Sequence, residues 1–351
     1  MRSVAGRWAL GLLAAAALVL MLGPRERVGI LPEPMIAVGE TPEETVAGVL
    51  RAEEFIPGLR PEAAKQVVWA HDDRRRTLLS VVVVHGFSAS AEELRPMPDD
   101  VAAALGANLF FTRLAGHGAD PAALGTVRAT DWMQDMAEAL EVGRALGERV
   151  LVIASSTGAA LAAIAAAEPA GQDRVAGFVL MSPNFGVRQA GAHLLSAPFA
   201  RVWAPWLLGE TRRVVAVNAA HAEAWFVEYP TEALAPMAAV AEAAWLTQFD
   251  GVTAPLLVVL SDADRVVDPA RGREVAGRWG GAAEVLALAP GPEDDPEAHV
   301  LAGRILSPGL SPRVTAAVLA WVEKRGIDSP DAPLPVVAPP PEPGADAAPA
   351  D

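Results

Sequence analysis

What most constrains this chain is a rhythm of short β-branched runs alternating with stretches that suit a helix. Val81-Val82-Val83-Val84 has the composition of a strand buried on both faces, and comparable runs follow at Ala107 to Thr112, Arg149 to Ala154, Val175 to Met181, Leu256 to Leu260 and Glu284 to Leu288. Between them lie Ala91 to Leu105, Thr130 to Leu146, Ala159 to Ala167 and Asp268 to Trp279, all compatible with helix. Continuous apolar strands separated by helices predict an α/β architecture, a mostly parallel sheet with helices on both faces. Gln66 to Trp69, before the Asp72-Asp73 turn signal, is placed to add an antiparallel edge strand.

One interval breaks the rhythm. From about Phe185 to Asp250 no strand run occurs; Trp203, Trp206, Trp225 and Trp245 all fall there, and Pro198, Pro205, Pro230 and Pro236 interrupt its helices. An aromatic-rich insertion between two strands is expected as a helical cap over the carboxyl edge of the sheet; the alternative is ordinary core helix.

Both ends differ from the middle. Trp8 to Leu22 is unbroken apolar sequence preceded by Arg2 and Arg7, the pattern of a basic n-region and an apolar h-region. It is short for a spanning helix, which takes about 17–25 residues, and no Ala-x-Ala cleavage site follows. A retained anchor, a cleaved signal and a buried core helix all remain open, and the first two imply export or membrane attachment through residues 8–22. Asp328 to Asp351 is Pro-, Ala- and acid-rich, and is expected to be a disordered tail. The expected organisation is an anchor or signal at 1–30, an extension at 31–66, one folded domain at 67–325 with its cap at 185–250, and the tail at 326–351.

Composition excludes several functions. The net charge is −15, whereas a nucleic-acid partner requires clustered Lys and Arg. The chain has no Cys, so disulfides, thiolate metal sites and Cys nucleophiles are ruled out.

The candidate chemistry gathers where predicted strands end. Arg149 to Ala154 runs directly into Ser155-Ser156-Thr157-Gly158 and then an Ala-rich helix. A sharp strand-to-helix turn that presents a nucleophile needs small residues two before and two after it. Ser156 has Ala154 and Gly158 at those positions, whereas Ser155 would have Ile153 and Thr157. Ser156 is therefore the candidate nucleophile, and a simple Ser helix cap is the plainer reading. Val81 to Val84 ends at His85-Gly86-Phe87, where glycine lets the backbone turn closely over the sheet edge. The Phe87 and Thr157 amides are then candidate donors to one oxyanion. Leu256 to Leu260 leads into Ser261-Asp262-Ala263-Asp264, and Asp264 is the candidate acid, with Asp262 and Asp268 in reserve. Of the histidines at 71, 85, 117, 193, 221 and 299, only His299 lies downstream of Asp264, and it is the candidate base. His85, at a strand end before a tight turn, is expected to pack.

With His85-Gly86-Phe87-Ser88, Arg113-Leu114-Ala115-Gly116-His117-Gly118, the Ser156 turn, the Asp264 segment and His299-Val300-Leu301 in hand, the sequence resembles the α/β-hydrolase superfamily, in its carboxylesterase and monoacylglycerol-lipase-like branch, over roughly Val67 to Arg325. The order Ser156, Asp264, His299 is the nucleophile–acid–base order of that fold. The resemblance implies an eight-stranded sheet, a cap inserted after the sixth strand, a Gly116-His117-Gly118 loop beside the site, and ester hydrolysis with no cofactor or metal. Ala154 departs from the usual glycine of the turn, and the cap matches no subfamily pattern. The expected substrate is a small-molecule carboxylic ester of small to medium acyl length, including lipid-derived ones. Thioester or amide hydrolysis on the same residues, and an inactive hydrolase fold that binds a ligand or partner protein, are the alternatives.

Overall fold

A computed structural model describes Trp8, Gly11 and residues 22–330. The expected apolar anchor and Pro-rich tail lie outside the described residues, apart from Trp8, Gly11, Leu22 and 328–330. Among the described residues no helix is long and apolar enough to cross a membrane.

The strands are β1 (Gln66–Val68), β2 (Thr77–Val84), β3 (Asn108–Phe111), β4 (Gly147–Ser155), β5 (Val175–Met181), β6 (Thr211–Arg213), β7 (Glu228–Pro230), β8 (Leu256–Leu260) and β9 (Ala283–Ala287). The helices are α1 (Pro42–Glu53), α2 (Met97–Leu105), α3 (Ala129–Leu146), α4 (Ser156–Ala166), α5 (Pro169–Gln172), α6 (Ala200–Leu208), α7 (Ala219–Ala224), α8 (Leu234–Leu246), α9 (Pro269–Arg278) and α10 (Ser311–Lys324). A seven-stranded sheet runs in the order β1-β3-β2-β4-β5-β8-β9. All its pairs are parallel except β1 with β3, where Val67 faces Phe110 in antiparallel register.

Period-two alternation places the core on both faces. Val82, Val84, Val152, Ala154, Phe178, Leu180 and Val258 pack on one side with Trp132, Met136 and Leu140 of α3 and the wholly buried α4. Val81, Val83, Leu151, Ile153, Val179 and Val259 pack on the other with Val101 of α2 and Val314, Val318 and Trp321 of α10. Runs of consecutive apolar residues such as Val81 to Val84 arise because each face is covered by helix, and the buried Ser80 of β2 is satisfied by donating to the Gly143 carbonyl.

Three expectations need correction. The sheet has seven strands among the described residues, where the resemblance implied eight. Before Gln66 the chain forms helix α1, started by a Thr41–Glu44 capping box, and a 3-10 turn begun by Pro61, so among the described residues no further strand pairs outside β1. For the same reason the insertion follows the fifth strand of the sheet in chain order, where the sixth was expected. Second, the insertion is not free of strands: β6 and β7 form an antiparallel ribbon with Arg212 opposite Tyr229. Its strands are three residues long and largely polar, with no apolar run to signal them. Third, the helix expected over Ala91 to Leu105 begins only at Met97, after a separate 3-10 turn at Ala91–Glu93. Pro96 and Pro98 cannot sit in a helix interior but suit its first turn.

Candidate active site

The turn from β4 into α4 is closed by size. Ser156 has φ +50°, a left-handed conformation that costs a non-glycine residue about 1–3 kcal/mol and persists where the surroundings enforce it. A Cβ on Gly158 would stand 2.5 Å from the carbonyl oxygens of Val84 and His85. Only glycine therefore lets α4 approach β2 this closely. Ala154 is fully buried between the neighbouring strands.

The structure brings Ser156, Asp264 and His299 into one hydrogen-bonded line. His299 Nε2 lies 3.0 Å from Ser156 Oγ, and His299 Nδ1 lies 2.8 Å from Asp264 Oδ2. The other Asp264 oxygen accepts from the Val266 and Val267 amides at 2.8 and 2.9 Å, which fixes the carboxylate's orientation. Asp264 is 1% exposed. Burial lowers the pKa of His299, but the hydrogen bond and charge of Asp264, with the charges of Glu93 and Asp295, outweigh it and hold the imidazole above its ordinary value. The two reserve acids have other partners: Asp262 makes an exposed ion pair with Arg273, and Asp268 caps helix α9 at the Ala270 amide. Ser155 donates to Glu93 and does not reach His299.

The strand-end turn after β2 faces the same point. Among the described residues no hydrogen bond occupies the Phe87 amide. Thr157 is the second residue of α4, where helical amides lack intrahelical acceptors. Phe87, Ser156, Thr157 and His299 all line one cavity of about 530 Å³. His85 is not available as a base: its Nδ1 donates to the Gly86 carbonyl, its Nε2 accepts from the Leu114 amide, and burial lowers its pKa to about 4. His117, from the Gly116-His117-Gly118 loop, accepts the Ser88 amide at 3.0 Å and so braces the Phe87 turn from behind.

Part of the insertion lines the cavity, while Val240 and Ala244 of α8 pack into the main core as ordinary core helix. The Phe226 amide donates to the Ser88 carbonyl at 2.8 Å, and Tyr229 meets Phe87 edge-on at 5.1 Å between ring centres. Trp203 and Trp225 line the cavity with Leu195, Leu234 and Met237. The other two Trp residues do not: Trp206 is 88% exposed, and Trp245 lies under the guanidinium groups of Arg271 and Arg278. Among the described residues no group of three or more histidine, aspartate or glutamate side chains is arranged to hold a metal ion.

Some contributors carry no sequence signal. Asp295 accepts from both the His299 and Val300 amides and so anchors the histidine loop. Asn184 donates its amide to the Ser156 carbonyl and its side chain to Thr157 Oγ1. Glu93 accepts from Gly86 and Ser155. Glu92-Glu93 reads in sequence as a solvated helix face, and Asp295 as one acid among several.

An arrangement of this kind can transfer a proton from Ser156 to His299 while two amides receive a developing negative charge. Residues 76–292 match the family model Hydrolase_4, described as serine aminopeptidase, S33. Among curated proteins none matches. Of the solved structures, one from the metagenome-derived lipolytic enzymes LipS and LipT aligns at 21% identity and TM-score 0.61, covering 76% of this chain and 99% of that one. A soluble variant of the monoglyceride lipase of Saccharomyces cerevisiae, bound to a substrate analogue, aligns at 10% identity and TM-score 0.56 over 74% of this chain and 91% of its own. The monoacylglycerol lipase of Paleococcus ferrophilus aligns at 13% identity and TM-score 0.54 over 74% and 98%. At these identities the likeness concerns the fold.

Proposed function

Because this chain belongs to the Hydrolase_4 family, serine aminopeptidase S33, we propose that it is a serine hydrolase cleaving a carboxylic ester through an acyl-Ser156 intermediate. The observation that carries the reading is the position of His299, within hydrogen-bond distance of both Ser156 and Asp264 at the wall of a largely apolar cavity.

In this mechanism His299 Nε2 takes the Ser156 proton as Oγ attacks the ester carbonyl carbon. The Phe87 and Thr157 amides hold the resulting oxyanion. Collapse of the tetrahedral intermediate breaks the bond to the alcohol, which leaves with the proton from His299. Water then enters and gives a proton to His299 as its oxygen bonds to the acyl carbon; collapse of this second tetrahedral intermediate breaks the bond to Ser156 Oγ, which takes the proton back from His299 as the acid leaves. Asp264 keeps Nδ1 protonated and supports the imidazolium at each stage.

The apolar lining, with Trp203, Trp225, Leu195 and Met237, favours an acyl chain of small to medium length, and lipid-derived esters suit it. The family description also supports a second reading, amide cleavage on the same residues; a thioester would follow the same path. Attachment to a membrane or export through residues 8–22 belongs to the proposal as well. Its ground is the sequence alone, an apolar run at 8–22 preceded by Arg2 and Arg7; the chain just after that run is tied to the start of α6, where the Phe199 amide donates to the Pro24 carbonyl at 2.8 Å. Beyond this point α6 exposes Val202 and Trp206, and Val215 stands 90% exposed after β6. Val202 and Trp206 lie four residues apart and so share one face of α6.

The test is fluorophosphonate labelling of the full chain, with the modified peptide mapped by mass spectrometry. Label on Ser156, lost in Ser156→Ala and suppressed in His299→Ala, is the expected result, with kcat for p-nitrophenyl esters falling by about 10⁴–10⁶ in either variant. No label on the folded chain would overturn the hydrolase reading in favour of a binding protein. Comparison of p-nitrophenyl esters with p-nitroanilides then separates ester from amide cleavage.

A further inference from the structure

Glu93 touches both halves of the site at once. It stands in the 3-10 turn after β2, 2% exposed. One carboxyl oxygen accepts the Gly86 amide at 2.6 Å, and the other accepts the Ser155 hydroxyl at 3.1 Å. Gly86 directly precedes Phe87, and Ser155 directly precedes Ser156. A Cβ on Gly86 would stand 2.9 Å from Glu93 Oε1 and 3.1 Å from Ser156 Cβ, so carboxyl, turn and nucleophile meet with no spare room. The loop that carries His299 closes on the same residue: Gly303, at φ +102°, lies so near that a Cβ there would be 2.3 Å from the Glu93 carbonyl oxygen.

This placement is expensive for a purely structural group. Among the described residues no Lys or Arg forms an ion pair with Glu93, and a buried carboxylate without a cationic partner is costly. Burial holds its pKa above the ordinary carboxylate value, and the Gly86 amide, the charge of His299 and the Ser155 hydroxyl offset this only in part. An apolar side chain of similar volume would fill the space without that cost, although it would leave the Gly86 amide unpaired.

We propose that Glu93 is a positioning residue for hydrolysis, holding the Phe87 turn at a fixed separation from the Ser156 turn. Because Glu93 occupies the Gly86 amide, the next amide, that of Phe87, is the one left for an oxyanion. Three carboxylates act on His299: Asp264 from the turn after β8, Asp295 from its own loop, and Glu93 from the turn after β2. Glu93 is the one that also engages the oxyanion turn. The inference rests on Ser156 being the nucleophile.

The test compares Glu93→Gln and Glu93→Ala in the full chain. Glutamine can accept from Gly86 through its amide oxygen and donate to Ser155 Oγ, so it keeps both contacts and loses only the charge. Expected for Glu93→Gln is a fall in kcat with KM unchanged, and an acid limb of kcat/KM moved to lower pH, because a charge that raises the His299 pKa is gone. Glu93→Ala should lower kcat further, by about 10²–10³, the scale of losing one oxyanion donor. Fluorophosphonate should still mark Ser156 in both variants, more slowly. A Glu93→Gln protein with wild-type kcat and an unmoved acid limb would overturn the proposal, including the case in which only its Tm falls. Failure of wild-type protein to label at Ser156 would instead defeat the hydrolase reading, which keeps the two failures apart.

Discussion

Gly158 sits so close to Val84 that a Cβ on it would stand 2.5 Å from the Val84 carbonyl oxygen, and equally close to that of His85. The contact joins the start of α4 to the end of β2, the two segments that carry Thr157 and Phe87. The separation between the two amides is therefore set by the absence of one methyl group.

Gly158→Ala should cost about 1–3 kcal/mol of stability, the usual penalty for forcing a methyl into a packed site, and should also slow acylation by displacing Thr157. Gly277 in α9 is the control, since a Cβ there meets nothing within 4 Å. Gly277→Ala should stabilise by about 0.4–1 kcal/mol and leave acylation alone. Thermal denaturation and pre-steady-state burst rates check both. Equal destabilisation by the two substitutions would remove the argument from close approach.

The raised pKa of His299 sets the pH dependence. Its neutral form is the base, so a raised pKa moves the acid limb of kcat/KM upward. Activity should rise with pH through a value above the ordinary histidine pKa of about 6.5. Asp264 supplies the largest opposing influence to burial. Asp264→Asn should therefore shift the limb of the residual activity downward and cost about 10⁴ in kcat, while Asp268→Asn should affect only the cap of α9. Rate profiles from about pH 5 to 9 span the range in which histidine titrates. A limb at or below the ordinary value, or a larger loss in Asp268→Asn, would displace Asp264 from the role.

If the outer face of α6 meets lipid, Trp206→Ser together with Val202→Ser should weaken binding of the chain to phosphatidylcholine vesicles. Turnover of a short soluble ester should stay unchanged, since neither residue lines the cavity. Burying a large apolar side chain contributes about 1.5–3 kcal/mol, so the pair should lower vesicle affinity by about tenfold or more. Unaltered co-sedimentation would assign attachment elsewhere, with residues 8–22 as the remaining source.

The sequence by itself determined the layered α/β architecture, because strands covered on both faces must be apolar at every position, as Val81 to Val84 are. It also narrowed the sharp turn to Ser156, since a steric limit acting over two residues either side is a local property. It put Asp264 before Asp262 and Asp268, which follow the same strand within seven residues, but held no physical ground that separates the three. Their difference lies in which one faces His299 and which ones face solvent or a helix end. The seventh-versus-eighth strand, the β6–β7 ribbon and the inward or outward facing of each Trp were hidden likewise, being decided by partners distant in the chain. Glu93 is the clearest case. As a letter it looks like the solvated start of a helix, and only the convergence of β2, β4 and the His299 loop turns it into a buried carboxyl joining Gly86 to Ser155. Local sterics and hydrophobic period are written in sequence; hydrogen bonds between segments 60 or more residues apart arise only when the sheet brings its strand ends to one edge.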